Sequence, residues 1–299
     1  MASSIDTAFI QSYHNDFEVK FQQNGSRLMP YVTVRPQYSK TDFYDRIGTV
    51  SFAEKTTRHA PTALEEAEHT RIAVSMRDYR NALPFDTEDK IRMGLRDPRN
   101  AYAETQAKAL GQKFDSVVIA AATGTTYTGE TGGTAETYSA TTYGIAVNAV
   151  APGNAPANSN LTIEKLIQAK SKFGVQESVM DGEPLVCVVT QLQIDSLLRT
   201  TETTSADYNT VKALVSGAID SFMGFKFVRT QLLSKTSNTR TCLCFPKSGI
   251  VVGMADQRVT KIDQRPDLNY TWQVWTQGTF GATRTWREKV VSIDCDETA

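Results

Sequence analysis

Residues 97–124 read DPRNAYAETQAKALGQKFDSVVIAAATG, the clearest helix signal in the chain. Asp97 is a good N-cap, and Pro98 suits the first helical position, where its missing N–H costs nothing. Ala103, Ala107, Leu110, Phe114, Val117 and Ala121 follow at spacings of four, three, four, three and four, which puts one apolar stripe toward a core. Gly124 supplies the stop. The spacing predicts a helix over 97–122, about 37 Å long at 1.5 Å per residue, enough to span a domain.

Toward the N-terminus, residues 29–83 read as two strands joined by a long polar tip. Val32 and Val34 alternate with Thr33 and Arg35 within 31–38, and Ile72, Val74 and Met76 alternate further on. The tip is polarised, with Lys55, Arg58 and His59 ahead of Glu65, Glu66 and Glu68. A lone hairpin is marginal in water, so an extended one is expected to rest on another surface, such as a neighbouring subunit. Residues 1–28 carry Ile5, Phe9, Ile10, Tyr13, Phe17 and Phe21 at helical spacing, the pattern of an arm that lies against a partner.

Toward the C-terminus, residues 123–160 shift to Gly, Thr, Ala, Ser and Asn, with Glu130 and Glu136 the only charges. A surface insertion with a short hairpin near Tyr143–Val150 is expected. Helix and strand then alternate. Leu161–Phe173 is amphipathic and ends at Gly174; Leu185–Val189 is a continuous apolar strand; Thr190 and Gln193 have capping-box spacing for a helix through Leu198. A further helix, turn and strand follow in SADYNTVKALVSGAIDSFMGFKFVRTQLL (205–233), then strands at Thr241–Phe245 and Ile250–Met254. The tail has strand character, broken at Gly278 and Gly281.

The 299 residues are 40% hydrophobic and 22% charged, a globular composition. With 32 basic and 33 acidic residues the net charge is −1, so no global field recruits nucleic acid or acidic lipid. The start, MASSIDTAFIQSYHNDF, has neither the basic nor the apolar region of a secretory signal, and no apolar run reaches the ~20 residues of a membrane span. Without secretion, the NGS, NLT and NYT triplets carry no glycosylation. Cys187 and Cys244 lie in the apolar runs LVCVV and TCLCF, while Cys242 and Cys295 flank strands, which suits reduced and packed thiols.

Candidate chemistry is sparse. Gly124–Thr131 has the spacing of a Walker A loop, but Glu130 stands where the phosphate-binding lysine belongs and the string follows a helix. A carboxylate there repels phosphate. His14, His59 and His69 occur outside any HExxH or GxSxG pattern and read as surface residues. Trp272, Trp275 and Trp286 could stack nucleobases, yet on a strand pattern they read as core. No CxxC or paired-histidine spacing supports zinc. No catalytic, cofactor or metal residues are assigned; the chain reads as a building block.

The order of arm, hairpin with FYDRIG, long helix, LTIEKLIQAKSKFG, LVCVVTQLQIDSLL, TSADYNTVKALVSGAIDSFMGFKFVRT and a closing FGATRTWREKVVSI resembles a tailed-bacteriophage major capsid protein of the Hong Kong 97-like α+β fold. The resemblance covers nearly the whole chain. It implies an N-terminal arm (1–28), an E-loop (29–83) lying over an adjacent subunit, a peripheral domain with spine helix and insertion (84–159), an axial domain (160–245) and strands returning to the peripheral domain (246–299). It implies self-assembly as hexamers and pentamers into an icosahedral virion shell around double-stranded DNA, after synthesis in the host bacterial cytoplasm. A portal, a separate scaffolding protein and a decoration protein are the implied partners, with no membrane and no cofactor. The scaffold is expected as a separate protein because no long charged N-terminal segment is present, and no Lys–Asn crosslink pair is identifiable by spacing. The same fold serves encapsulin compartments, the main alternative; a nucleotide-binding enzyme is the remote one.

Overall fold

The long helix is present as α1 (Arg99–Thr123) in a computed structural model that describes residues 23, 25–52, 54, 58, 64–86, 99–179, 182–199, 221–255 and 259–298. Asp97, Pro98, the arm stripe Ile5–Phe21 and the 205–220 segment lie outside the described residues. Among the described residues the other α-helices are α2 (Ala140–Tyr143), α3 (Ile163–Val175) and α4 (Gln191–Arg199). The strands are β1 (Thr33–Pro36), β2 (Thr41–Ile47), β3 (His69–Ser75), β4 (Arg77–Phe85), β5 (Thr126–Thr128), β6 (Thr134–Glu136), β7 (Leu185–Val189), β8 (Ser221–Phe222), β9 (Phe225–Arg229), β10 (Lys235–Thr236), β11 (Thr239–Pro246), β12 (Ile250–Met254), β13 (Val259–Arg265), β14 (Thr271–Arg284) and β15 (Val291–Asp296).

Among the described residues these strands form three sheets. In the first, β14 is the hub: its first half pairs with β13 and β4, its second half pairs with β12, and β12 pairs in parallel with β1. Helix α1 packs along β14. The buried side of α1 carries Gln106, Phe114, Asp115, Val118, Ile119 and Ala122, whereas Ala107 is exposed and Val117 and Ala121 are half-buried. The expected stripe is therefore turned. The turning has a polar cause: Gln106 donates to Val274 O at 2.9 Å and accepts from Thr276 Oγ1 at 2.7 Å, and Asp115 is drawn inward by the backbone described below. Two glycines set the packing distance. A Cβ on Gly111 would overlap the Gly25 backbone, and one on Gly281 would overlap Ser75 O, so both contacts need the absent side chain.

The second sheet runs β10-β11-β7-β9-β8, with β15 also on β11. Strand β7 has the predicted bounds, and its continuous apolar run fits a strand flanked on both sides, by β11 and by parallel β9. Strands β8 and β9 are joined through Met223 (φ 55°) and Gly224 (φ 86°), both left-handed, as a two-residue hairpin turn requires. Phe225 and Phe227 point into the core, while the Lys226 ammonium lies 5.1 Å from the Tyr31 ring centroid. Helix α3 starts at the Thr162 N-cap, whose hydroxyl accepts from Lys165 N. It does not stop at Gly174. It runs on to Val175, and Glu177 takes the left-handed position (φ 45°), with Glu177 N on Gly174 O and Ser178 N on Phe173 O, the paired bonds of a Schellman motif. At α4 the Gln193 side chain accepts from Thr190 N at 3.1 Å, half of the expected capping box.

The third sheet, β2-β3-β5-β6, corrects two expectations. The hairpin is made by β2 and β3, with Tyr44 opposite Ile72; residues 33–36 leave it and pair with β12 instead. The insertion does hold a hairpin, but at Thr126–Glu136, where β5 extends the sheet from β3; Tyr143 ends α2, and Ile145 bridges to Ile293. One continuous apolar core joins the first two sheets, from Leu28 and Val118 to Phe225 and Ile293.

Candidate functional site

Where β2 ends and β3 has yet to begin, several of the described residues are large, apolar and exposed. Phe52 is 100% exposed and Leu64 97%, with Ile47 and Val50 more than half exposed. Glu65, Glu66 and Glu68 stand exposed beside them, as does Arg58; Lys55 and His59 lie outside the described residues. Large apolar side chains offered together to solvent mark an interaction surface more often than a free one. Along β2 the usual pattern is inverted, for Phe43 and Ile47 face solvent while Arg46 is turned inward.

Arg46 holds the hairpin to the body. Its Nη1 donates to Thr285 O at 2.6 Å, its Nε to Thr70 Oγ1 at 2.8 Å, and its Nη2 to Glu136 Oε2 at 2.6 Å. The guanidinium also sits 4.3 Å from the Trp286 ring centroid, a cation–π contact. Arg287 Nε reaches the other Glu136 oxygen at 3.3 Å. One side chain thus ties β2, β3, β6 and the end of β14 together and fixes the angle at which the hairpin leaves. Beside it an open groove of about 1330 Å³, lined by Arg46, Glu68, Lys170, Phe173, Trp286 and Lys289 among others, separates the hairpin base from the end of α3.

Three more buried charged side chains fasten chain segments to the body. Asp115, fully buried on α1, accepts from Ser26 Oγ at 2.5 Å, Arg27 N at 3.0 Å and Leu28 N at 3.2 Å, and also from Gln23 Nε2. Arg284 Nη1 donates to Ala122 O at 2.8 Å and Gly124 O at 3.0 Å, closing the C-terminal end of α1, where a cation also favours the helix dipole. Its guanidinium faces the Tyr138 ring at 5.2 Å. Lys165 Nζ donates to Val147 O, Ser159 O and Asp294 O at 2.7–2.9 Å, pinning the insertion and β15 to α3. Burial lowers the pKa of Lys165 and of Arg284 and raises that of Tyr138. At the end of β15, Glu297 accepts from Arg240 Nε at 2.8 Å and from Lys235, and the Arg240 bond is the main reason its pKa falls to about 2.

These residues carry no reactive constellation. The Walker-like string forms β5 and the turn to β6, with Glu130 exposed on that turn and no helix following to present its N–H groups. His69 heads β3 on the surface; His14 and His59 lie outside the described residues. Trp275 is half-buried on β14 opposite Lys261 and Ala82, and Trp286 serves the Arg46 clamp. All four cysteines are free and buried, with Cys242 and Cys295 inside β11 and β15 and not beside them. Among the described residues no group of three or more His, Cys, Asp or Glu side chains is placed to hold a metal, and no helix is long and apolar enough to cross a membrane. Asp115, Lys165, Arg284 and the role of Arg46 were not read from sequence. Lys165 left a trace there, since Leu161, Lys165, Ala169 and Phe173 recur every fourth residue.

A family model described as phage capsid protein matches residues 5–297. No curated protein matches the chain. Among solved structures, the cyanophage Pam1 capsid is similar at TM-score 0.74 and 13% identity, covering 99% of both chains. The capsid of Ralstonia phage GP4 gives 0.74 and 11%, covering 99% of this chain and 97% of that one. The acidic stable capsid of Helicobacter pylori bacteriophage KHP30 gives 0.71 and 9%, covering 99% and 98%. At such identities the structural likeness speaks for the fold, and the family model for the family.

Proposed function

We propose that this chain, which belongs to the phage capsid protein family and is a tailed-phage major capsid protein, closes its shell as hexamers and pentamers by laying the β2–β3 hairpin over an adjacent subunit. The observation that carries the reading is the hairpin itself: a tip with Phe52 and Leu64 in solvent on a base locked by Arg46. A free monomer gains nothing from a rigid support for exposed apolar groups; a subunit meeting the same neighbour at every position does. Within 29–83 the β2–β3 hairpin then acts as the E-loop while β1 and β4 stay in the first sheet; 84–159 acts as the peripheral domain around α1, 160–245 as the axial domain, and 246–299 as the returning strands, with β15 pairing back onto β11.

The chain has a structural role in the virion capsid and self-assembles. We assign it no catalytic activity, and place its synthesis in the host bacterial cytoplasm. A portal, a separate scaffolding protein and a decoration protein are its proposed partners, with double-stranded DNA enclosed without specific contact. The near-neutral net charge of −1 supports that last point, because a shell filled by a motor need not condense its genome. Purified particles should protect double-stranded DNA from nuclease; particles filled instead with a protein cargo would favour a compartment shell.

A further inference from the structure

The four cysteines sit on one face of the second sheet. Cys187 on β7 is directly opposite Cys244 on β11, Cys242 is two residues along β11, and Cys295 is two residues along β15 from Ile293, the partner of Cys242. Alternation along a strand makes these four side chains share a side. All are fully buried. The Cys187 and Cys244 sulfurs lie 3.1 Å apart across the pair, closer than two unbonded sulfurs ordinarily approach, whereas Cys242 and Cys295 meet only diagonally, because Cys295 is opposite Arg240. Directly opposed residues of an antiparallel pair have the Cα separation that a disulfide requires.

We propose that Cys187 and Cys244 are a latent cross-strand disulfide site, closed by peroxide, that staples β7 to β11. One thiol, as thiolate, attacks peroxide oxygen, giving a sulfenic acid and, after protonation, water. The second thiolate attacks that sulfur, and the S–O bond breaks with loss of hydroxide, which takes up a proton. The two thiols and one peroxide become one disulfide and two waters. The link closes a loop across residues 187–244, which includes α4, β8, β9 and β10. The hydrogen bond with Cys244, and then burial, push the Cys187 thiol well above the ordinary thiol range. The pair therefore stays reduced in a reducing compartment and oxidises slowly outside one. The chemistry stands independently of the assembly reading.

Folded protein exposed to hydrogen peroxide, alkylated and digested without reductant should yield a peptide pair joined through Cys187 and Cys244. That pair should be lighter by two hydrogens and separable by a thiol reductant, with Cys242 and Cys295 recovered alkylated. Cys242→Ala should retain the link, and Cys187→Ala should abolish it and leave Cys244 alkylated. Recovery of both Cys187 and Cys244 as alkylated thiols, at peroxide exposure that has already converted surface methionines to sulfoxide, would overturn the proposal. So would a link through Cys242. Wild-type peptide mapping alone decides, so a variant that fails to fold removes nothing from the test.

Discussion

Asp115 shows how one side chain can fix where a segment begins its path. Its carboxylate gathers the Ser26 hydroxyl and the Arg27 and Leu28 amides, so removing it orphans a buried N–H at Leu28 as well as losing charge-assisted bonds. Asp115→Ala should lower unfolding free energy by about 3 kcal/mol, and Asp115→Asn, which keeps one acceptor oxygen, by less; urea denaturation of the soluble subunit measures both. Glu297 gives a pH signature of its own. Its pKa is lowered from 4.5 to about 2, so its contribution is fully present above pH 4.5 and is lost as pH falls toward 2. Thermal midpoints of wild type and Glu297→Gln should differ by a constant amount above pH 4.5 and converge between 4.5 and 2. A gap that persists undiminished at pH 2 would mean that the Arg240 and Lys235 contacts do not depend on the carboxylate's charge.

The elements differ in how much of them could be read in advance. Helix α1 and strand β7 were legible because their apolar spacing is long and regular or short and unbroken. The face of α1 was not, because Gln106 and Asp115 are polar residues whose partners lie far along the chain, in β14 and before β1. The first strand of the hairpin escapes the sequence pattern because β2 hides Arg46 and exposes Phe43 and Ile47, a local inconsistency of the kind found at functional surfaces, whereas the second, around Ile72 and Val74, is where the alternation puts it. If the tip meets a neighbour, its acidic cluster contributes there and not to the fold. Exposed ion pairs are worth about 0.2–1 kcal/mol each. Changing Glu65, Glu66 and Glu68 together to Lys should leave circular dichroism unchanged while lowering particle yield or thermal stability, most of all at low salt. Shells as abundant and heat-resistant as wild type would mark the cluster as a solvated face. Arg46→Ala should act at the other end of the same element, altering Trp286 fluorescence and reducing particle yield while subunit secondary structure persists.

At the scale of the whole molecule, the described residues join three sheets, the third built on the β2–β3 hairpin. The first two sheets share a core, and buried polar clasps at Asp115, Lys165 and Arg284 hold the connecting segments down. On the proposed assembly such a body transmits position and not chemistry: if the hairpin lies over an adjacent subunit, the angle held at Arg46 sets the angle between neighbours, and identical repetition turns it into curvature. The measurement that tests this most directly is a cryo-electron microscopy reconstruction of particles containing the chain. It should show hexamers and pentamers in icosahedral order, with Phe52 and Leu64 of each subunit buried against an adjacent one. A hairpin tip left free in solvent, or folded back on its own subunit within closed shells, would contradict it.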